Sequence, residues 1–394
     1  MDPDPDNNII IDTEFEFEFL AQLYRQDAPD SVLLTEYPSS NSLETYFQNR
    51  DRFIIHDPFP PPSVDLLTQL GPHHLMCGWG SDVKVTSQVA PSEALLEHWK
   101  SIFGSEGVPR WESFDSADRE KSYLTIFPHE KISASQQAVN PEVNYFLHSK
   151  EVIEKIACPQ AAVLPRVSYP CVAKLTHGYA ALGNFFLRNS EDEREMRNRL
   201  ADQWPDAKLV INSMIENIVD DFGVQFYVQK NGGVIWLGLT EQQFDDSFRW
   251  CGGVYSHDQQ TNLFESLRPF VAATGDYLAR RGYFGVAGID VVQNSSGNMF
   301  LVDVNPRLTG VSPFLIASRI FAKKEGWKEG VYHASLKFQG TMDELISKVE
   351  SVSKARAMVL SAVERTKQGF TICHFSVNSD SQERNREVVS EIFG

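Results

Sequence analysis

The period of apolar and polar positions changes along the chain, and each change marks an element. The plainest pattern covers residues 285–310, GVAGIDVVQNSSGNMFLVDVNPRLTG. Its apolar runs Val286–Gln293 and Met299–Val304 flank a polar, glycine-containing turn, which predicts a β-hairpin. Phe222–Gln229 and Val234–Thr240 alternate around Lys230–Gly233 and predict a second hairpin. Val172–Leu175 and Phe185–Leu187 are predicted strands joined by a small glycine-containing loop, and Lys208–Glu216 is a further one. Helical spacing predicts helices over Pro91–Phe103, with Ser92 at its start and Gly104 beyond its end, and over the long run that Asn140-Pro141 opens. The charged run Glu191–Trp204, the amphipathic run Asn262–Arg281 and an apolar segment after Gly310–Pro313 read as helices too. Near the N-terminus, Phe15, Phe17 and Phe19 alternate as in a strand, whereas Phe19, Leu20, Leu23 and Tyr24 fit a helix. Periodicity leaves both open.

These elements group into an α/β and α+β multidomain chain. Residues 1–139 read as an N-terminal α/β domain in which short strands such as Val32–Thr35 alternate with helices; 1–8 read as a disordered tail. Residues 140–207 form a small α/β unit, 208–320 a larger one holding both hairpins, and 321–394 a small C-terminal αβ domain without a candidate catalytic cluster. A chain of 394 residues is long enough for several such units.

Charge and cysteine usage narrow the function classes. The formal net charge of −17 argues against a partner bound through phosphate neutralisation, so no nucleic acid is expected. An anionic ligand must instead be held by a local cluster of cations. The five cysteines are dispersed, without a Cys-x-x-Cys pair, as expected of reduced thiols in a cytoplasmic protein. No apolar run is long enough to span a bilayer, and the acidic start does not read as a secretory signal, so no membrane association is expected.

Candidate chemistry sits at the end of the first hairpin. Asp303, Asn305 and Arg307 occupy alternate positions, which a strand sends to one face, and Asp290 lies on the paired strand. Carboxylate and amide oxygens are hard ligands suited to Mg²⁺, and a guanidinium beside them suits a phosphate. Lys174 ends a strand just before the glycine loop, whose small residues let backbone N–H groups approach a polyphosphate. Gly178 and Gly183 have Walker A separation, but Asn184-Phe185 stands where Lys-Ser/Thr belongs. Arg249, among aromatics and glycines, suits a substrate carboxylate or a structural cation–π contact.

The order of these pieces resembles the ATP-grasp superfamily of carboxylate–amine ligases over about 140–320, with 1–139 in the pre-ATP-grasp position. The runs THGYAALGN, TEQQFDD, RWCGG and DVNPR look most like peptide and amino-acid ligases of natural-product pathways. The resemblance implies that ATP lies between two subdomains. It implies ATP-phosphate contacts from Lys150 and Lys174, a mobile loop at Gly178 and Gly183, and an adenine–ribose linker at Ile215, Glu216 and Ile218. It implies Mg²⁺ ligands at Asp303, Asn305 and Asp290, and acyl-phosphate stabilisation by Arg307. Asp303 stands where glutamate is commoner in the family, and the interval from Lys150 to Lys174 is short. The implied reaction activates a small-molecule carboxylate as an acyl-phosphate and joins it to an amine, releasing ADP and phosphate. His177 is a candidate for contact with phosphate or amine. Arg249, Gly252, Arg268 and Gly310 are candidates for the substrate pocket, and a homodimer is the implied assembly. A biotin-carboxylase-like phosphoryl-transfer enzyme and a nucleotide-binding regulatory protein are the alternative readings.

Overall fold

The computed structural model describes residues 9–394 apart from 41–42, 44, 57–62, 119, 179–182, 247–248 and 354. The expected tail at 1–8 and the centre of the glycine loop lie outside the described residues. Of the two readings of the N-terminal run the helix holds, whereas Phe15, Phe17 and Phe19 lie outside any strand. Strand β1 (Ile11–Asp12) comes first, and the helix Leu20–Asp27 follows.

The N-terminal region builds a parallel four-stranded sheet from β2 (Ser31–Leu34), β3 (Val85–Ser87), β4 (Trp111–Ser113) and β5 (Ser122–Thr125), in the order β4-β3-β2-β5. Every residue of β2 is buried, as a parallel strand covered on both faces requires. The helix Glu93–Phe103 begins where Ser92 accepts a hydrogen bond from the Leu95 N–H, an N-cap worth about 1 kcal/mol. A three-stranded antiparallel sheet follows, from β6 (Cys171–Leu175), β7 (Asn184–Leu187) and β8 (Leu209–Ser213), packed on the helix Ser190–Gln203.

The large sheet has nine strands among the described residues. It takes in β9 (Ile218–Val228), β10 (Val234–Phe244), β11 (Trp250–Ser256), β12 (Gly285–Asn294), β13 (Met299–Asn305), β14 (Glu329–Gln339), β15 (Arg356–Arg365) and β16 (Phe370–Ser379). Its order is β13-β12-β9-β10-β11-β14-β16-β15, and β1 pairs with β10. This corrects the expectation of a separate C-terminal domain at 321–394. β14 pairs with β11 from Gly252↔His333 to Ser256↔Glu329, so the sheet runs across that boundary. Alternation shows that a strand exists but not which strand it pairs with. The N-terminal region is sewn to the same sheet. Trp99 Nε1–H donates to the Val359 carbonyl (3.0 Å), and the Val359 N–H donates to His98 Nε2 (3.1 Å). Both contacts cover the edge strand β15, which would otherwise present unpaired backbone groups.

The expected long helix from Asn140 is broken. An α-helix covers Pro141–Leu147, and a 3₁₀ segment covers Lys150–Lys155. Ser149 caps the second piece by accepting from the Glu151 N–H, and the Lys150 N–H donates to the Thr176 carbonyl just beyond β6 (2.8 Å). The break therefore turns Lys150 toward the small sheet instead of continuing along a helix face.

Candidate active site

The site forms on one face of β9, β12 and β13, at the edge of the large sheet. On β9, Phe222, Val224 and Phe226 are buried in the same core as Leu267, Phe270 and Val271 of the helix Phe264–Ala279. The alternate residues Asp221, Gly223 and Gln225 therefore face the other side. Gly223 lies opposite Asp290, and Asp290 lies opposite Asp303. The pairing of β12 with β13 is irregular between Asp290 and Val291, and bulges of this kind re-aim side chains beside sites. Two carboxylates thus lie side by side, with a third, Asp221, two residues along β9. Asp221 accepts from Gln242 Nε2 (3.0 Å).

Cations reach this face from outside the sheet. Lys150 is ion-paired with Asp303. Lys174 Nζ donates to the Val302 carbonyl (2.7 Å). Arg307 donates to Asn305 Oδ1 (3.1 Å) and to the Leu308 carbonyl (3.0 Å), with its guanidinium 5.0 Å from the Phe127 ring centroid. Burial would raise the Asp303 pKa, but Lys150, Lys174 and the Val304 N–H outweigh it and hold the carboxylate ionised below its ordinary range. Burial, reinforced by Asp303 and then Asp221, pushes Asp290 up to about 8. Burial likewise raises Asp221 to about 6, against its hydrogen bond from Gln242. Burial also lowers the Lys174 pKa, with Asp303 opposing. The site therefore holds protons and charges that an incoming phosphate and a divalent cation would rearrange.

Mg²⁺ fits this donor set. Among the described residues no three His, Cys, Asp or Glu side chains gather closely enough to hold a metal alone. Mg²⁺ is commonly bound through one or two carboxylates, with substrate phosphates and water supplying the rest, and Asp290, Asp303 and the Asn305 amide have that character.

The remaining candidates divide. Gly178 and Gly183 close on Leu175, and a Cβ on Gly183 would come within 2.9 Å of Leu175 Cδ1. The loop between them joins β6 to β7 and lies outside the described residues. His177 lines a narrow cleft with Lys150, Asn305 and Arg307. However, its Nε2–H is used on the Tyr145 carbonyl (3.1 Å), its ring stacks on Tyr145 at 3.9 Å, and burial lowers its pKa to about 4. It is neutral at working pH, so a contact with phosphate or amine would come from an uncharged ring. Ile215, Glu216 and Ile218 lie at the passage from β8 to β9, with Glu216 and Ile218 exposed.

Arg249 turns instead to Asp245 (2.7 Å), and Arg268 pairs with Glu265 (3.2 Å) on an exposed helix face. The structure brings neither to the carboxylates. A Cβ on Gly252 would come within 2.0 Å of the Tyr332 carbonyl, so this glycine serves strand packing. Gly310 packs on Trp250, where a Cβ would lie 2.7 Å from the ring. Asp221 was missed by the sequence reading, although the polar alternation Asp221, Gly223, Gln225 within an apolar strand pointed to that face.

Residues 149–305 match the family described as L-aspartate--L-methionine ligase, ATP grasp. They are an ATP-grasp domain. The matched span holds Lys150, Lys174, Asp290, Asp303 and Asn305. The chain is also 22% identical over 257 residues to the [butirosin acyl-carrier protein]--L-glutamate ligase of Niallia circulans. That match covers 57% of this chain and 61% of the relative, less than two thirds of its length. In fold, the chain resembles an N5-carboxyaminoimidazole ribonucleotide synthetase solved as its ADP complex. The TM-score is 0.53 at 13% identity, covering 80% of this chain and 90% of that one. The ADP complex of the N5-carboxyaminoimidazole synthetase from Staphylococcus aureus gives a TM-score of 0.50 at 13% identity, over 79% and 91%. Around the ATP-grasp domain, no helix among the described residues is long and apolar enough to cross a membrane.

Proposed function

We propose that this protein is an ADP-forming ATP-dependent ligase that activates a small carboxylate and joins it to an amine, with an amino acid as at least one substrate. The observation that carries this reading is the convergence of Lys150 and Lys174 on the carbonyl end of β13, beside Asp303, within the ATP-grasp domain. The family description and the relative's name are both those of ligases in which an L-amino acid is named, which supports the substrate class.

The residues divide the work. A carboxylate is a poor electrophile until it carries a phosphoryl group. Phosphoryl transfer needs alignment and neutralised charge more than covalent participation by the protein. Lys150 and Lys174 would turn from Asp303 and Val302 to the phosphates of ATP. Asp303, Asn305 and Asp290 would hold Mg²⁺, which would offset the charge of the phosphates. Arg307, anchored by Asn305 and Leu308, would face the acyl-phosphate and the oxyanion that forms when the amine attacks. An acyl-phosphate must be kept from water. The His56 N–H holds the His177 carbonyl at 2.9 Å, tying an N-terminal segment to the start of the glycine loop over the cleft.

The test is nucleotide and phosphate release from ATP and Mg²⁺ with pooled L-amino acids and other small acids, with products followed by mass spectrometry. ADP and phosphate that depend on a pair of substrates, with a product mass of acid plus amine minus water, is the expected outcome. AMP and pyrophosphate would overturn the acyl-phosphate route.

A further inference from the structure

The loop that carries Arg307 away from β13 is held by a histidine from a distant part of the chain. His74, on the short helix Gly71–Met76, lies 2.6 Å through Nε2 from the Gly310 carbonyl. A carbonyl only accepts, so Nε2 carries the hydrogen. Burial lowers the His74 pKa to about 4, so the ring is neutral and its donor is fixed by tautomer rather than by pH. The ring packs against two rings of the C-terminal strands. It stacks on Tyr332 of β14 at 5.5 Å and lies 4.5 Å from His374 of β16. Tyr332 and His374 are themselves hydrogen-bonded, OH to Nδ1, at 2.6 Å. Gly310 has no room to shift sideways, because Trp250 covers it where a Cβ would stand, and Trp250 packs at 5.7 Å on the same Tyr332.

The residues around Gly310, Thr309 and Ser312, are pinned as well. Gln225 donates to Thr309 Oγ1 and accepts from Ser312 Oγ (2.6 Å), and the Thr309 N–H donates to Ser312 Oγ (2.9 Å). Between β13 and these anchors lie only Pro306, Arg307 and Leu308. The Arg307 guanidinium itself bonds to the Leu308 carbonyl, so a displaced loop displaces Arg307.

We infer that His74, backed by Tyr332 and His374, is a positioning residue that sets Arg307 for the acyl-transfer step. The inference rests on the ligase reading above. It gives the N-terminal region and the strands of 321–394 a shared part in the reaction. A small misplacement of a transition-state group costs rate while leaving nucleotide affinity largely intact.

The experiment compares wild type, His74→Phe, which keeps the ring but loses the N–H, and His74→Gln, which restores a side-chain N–H donor. Ligation turnover, KM for ATP and melting temperature are measured on each full-length protein. His74→Phe is expected to lower kcat about tenfold with KM for ATP unchanged, and His74→Gln to recover most of the loss. Unchanged kcat in His74→Phe would overturn the inference. So would a loss that His74→Gln fails to restore while both variants melt early, because that pattern marks packing alone. Wild-type protein that makes no substrate-dependent ADP would overturn the ligase reading itself, an outcome separate from both of these.

Discussion

Lys174 is a residue where stability and binding pull in opposite directions, so one substitution separates them. Its ammonium is buried, and burial lowers its pKa against the pull of Asp303. A depressed amine pKa means that the unfolded chain holds the proton more tightly. At neutral pH the folded protein therefore carries a cost for the charge. Methionine has similar length and no charge. Lys174→Met loses the 2.7 Å bond to the Val302 carbonyl, worth about 1 kcal/mol, and loses the burial cost with it. The ligand-free variant should therefore unfold within about 1 kcal/mol of wild type. Nucleotide binding should respond differently. ATP and Mg²⁺ at a hundred times Kd stabilise a protein by about 2.7 kcal/mol. If losing one phosphate–ammonium contact weakens affinity about a hundredfold, the same concentration leaves about 0.4 kcal/mol. The assay is thermal melting with and without Mg·ATP, alongside ADP release. A variant that keeps the full ligand-induced shift would refute the placement of Lys174 on the phosphates. Collapse of the ligand-free protein would refute the burial argument.

Three further outcomes follow from the same contacts. Asp303→Asn leaves Lys150 and Lys174 facing no carboxylate at that position. It should destabilise the ligand-free protein by about 3 kcal/mol and lower turnover by about a hundredfold or more, read by urea unfolding and ADP release. Glu36, buried and bonded by the Gln88 N–H, has its pKa raised by burial to about 7. Because the folded state holds this proton more tightly than the unfolded chain does, the stability it adds is full below about pH 4.5 and is lost as pH rises through about 7. The stability of Glu36→Gln relative to wild type should thus improve by up to about 3 kcal/mol between pH 5 and pH 8, and no change across that range would count against the shift. Trp99→Phe removes the N–H bonded to Val359 and shrinks a fully buried ring. It should cost about 2 to 4 kcal/mol by calorimetry, with the β15 amides exchanging faster in hydrogen-exchange measurements.

Local spacing carried the sequence reading a long way, and the places where it stopped have physical causes. The hairpin at 285–305 and the helix at 93–103 were legible because alternation, turn residues and a serine cap are all local signals. The meeting of Lys150 with Asp303 was not, because 153 residues separate them and the helix had first to break at His148 and Ser149. The pairing of β14 with β11 was hidden for the same reason, since a strand's periodicity names its faces but not its neighbours.

The three arginines show what a closer local reading can still extract. Arg249 has Asp245 four residues upstream, and Arg268 has Glu265 three residues upstream; each arginine folds back onto that acid. Arg307 also has an acid four residues upstream, Asp303. There the backbone runs through the end of β13, and four extended residues span about 13 Å, where a helix or a tight turn would bring them together. Asp303 pairs with Lys150, and Arg307 donates to an amide and a carbonyl and lies against an aromatic face. An acid at short range therefore removes an arginine from the candidate list when the backbone between them curls, and leaves it on the list when that backbone is a strand. The hairpin that keeps Asp303 apart from Arg307 is also what brings Asp303 to the lysines.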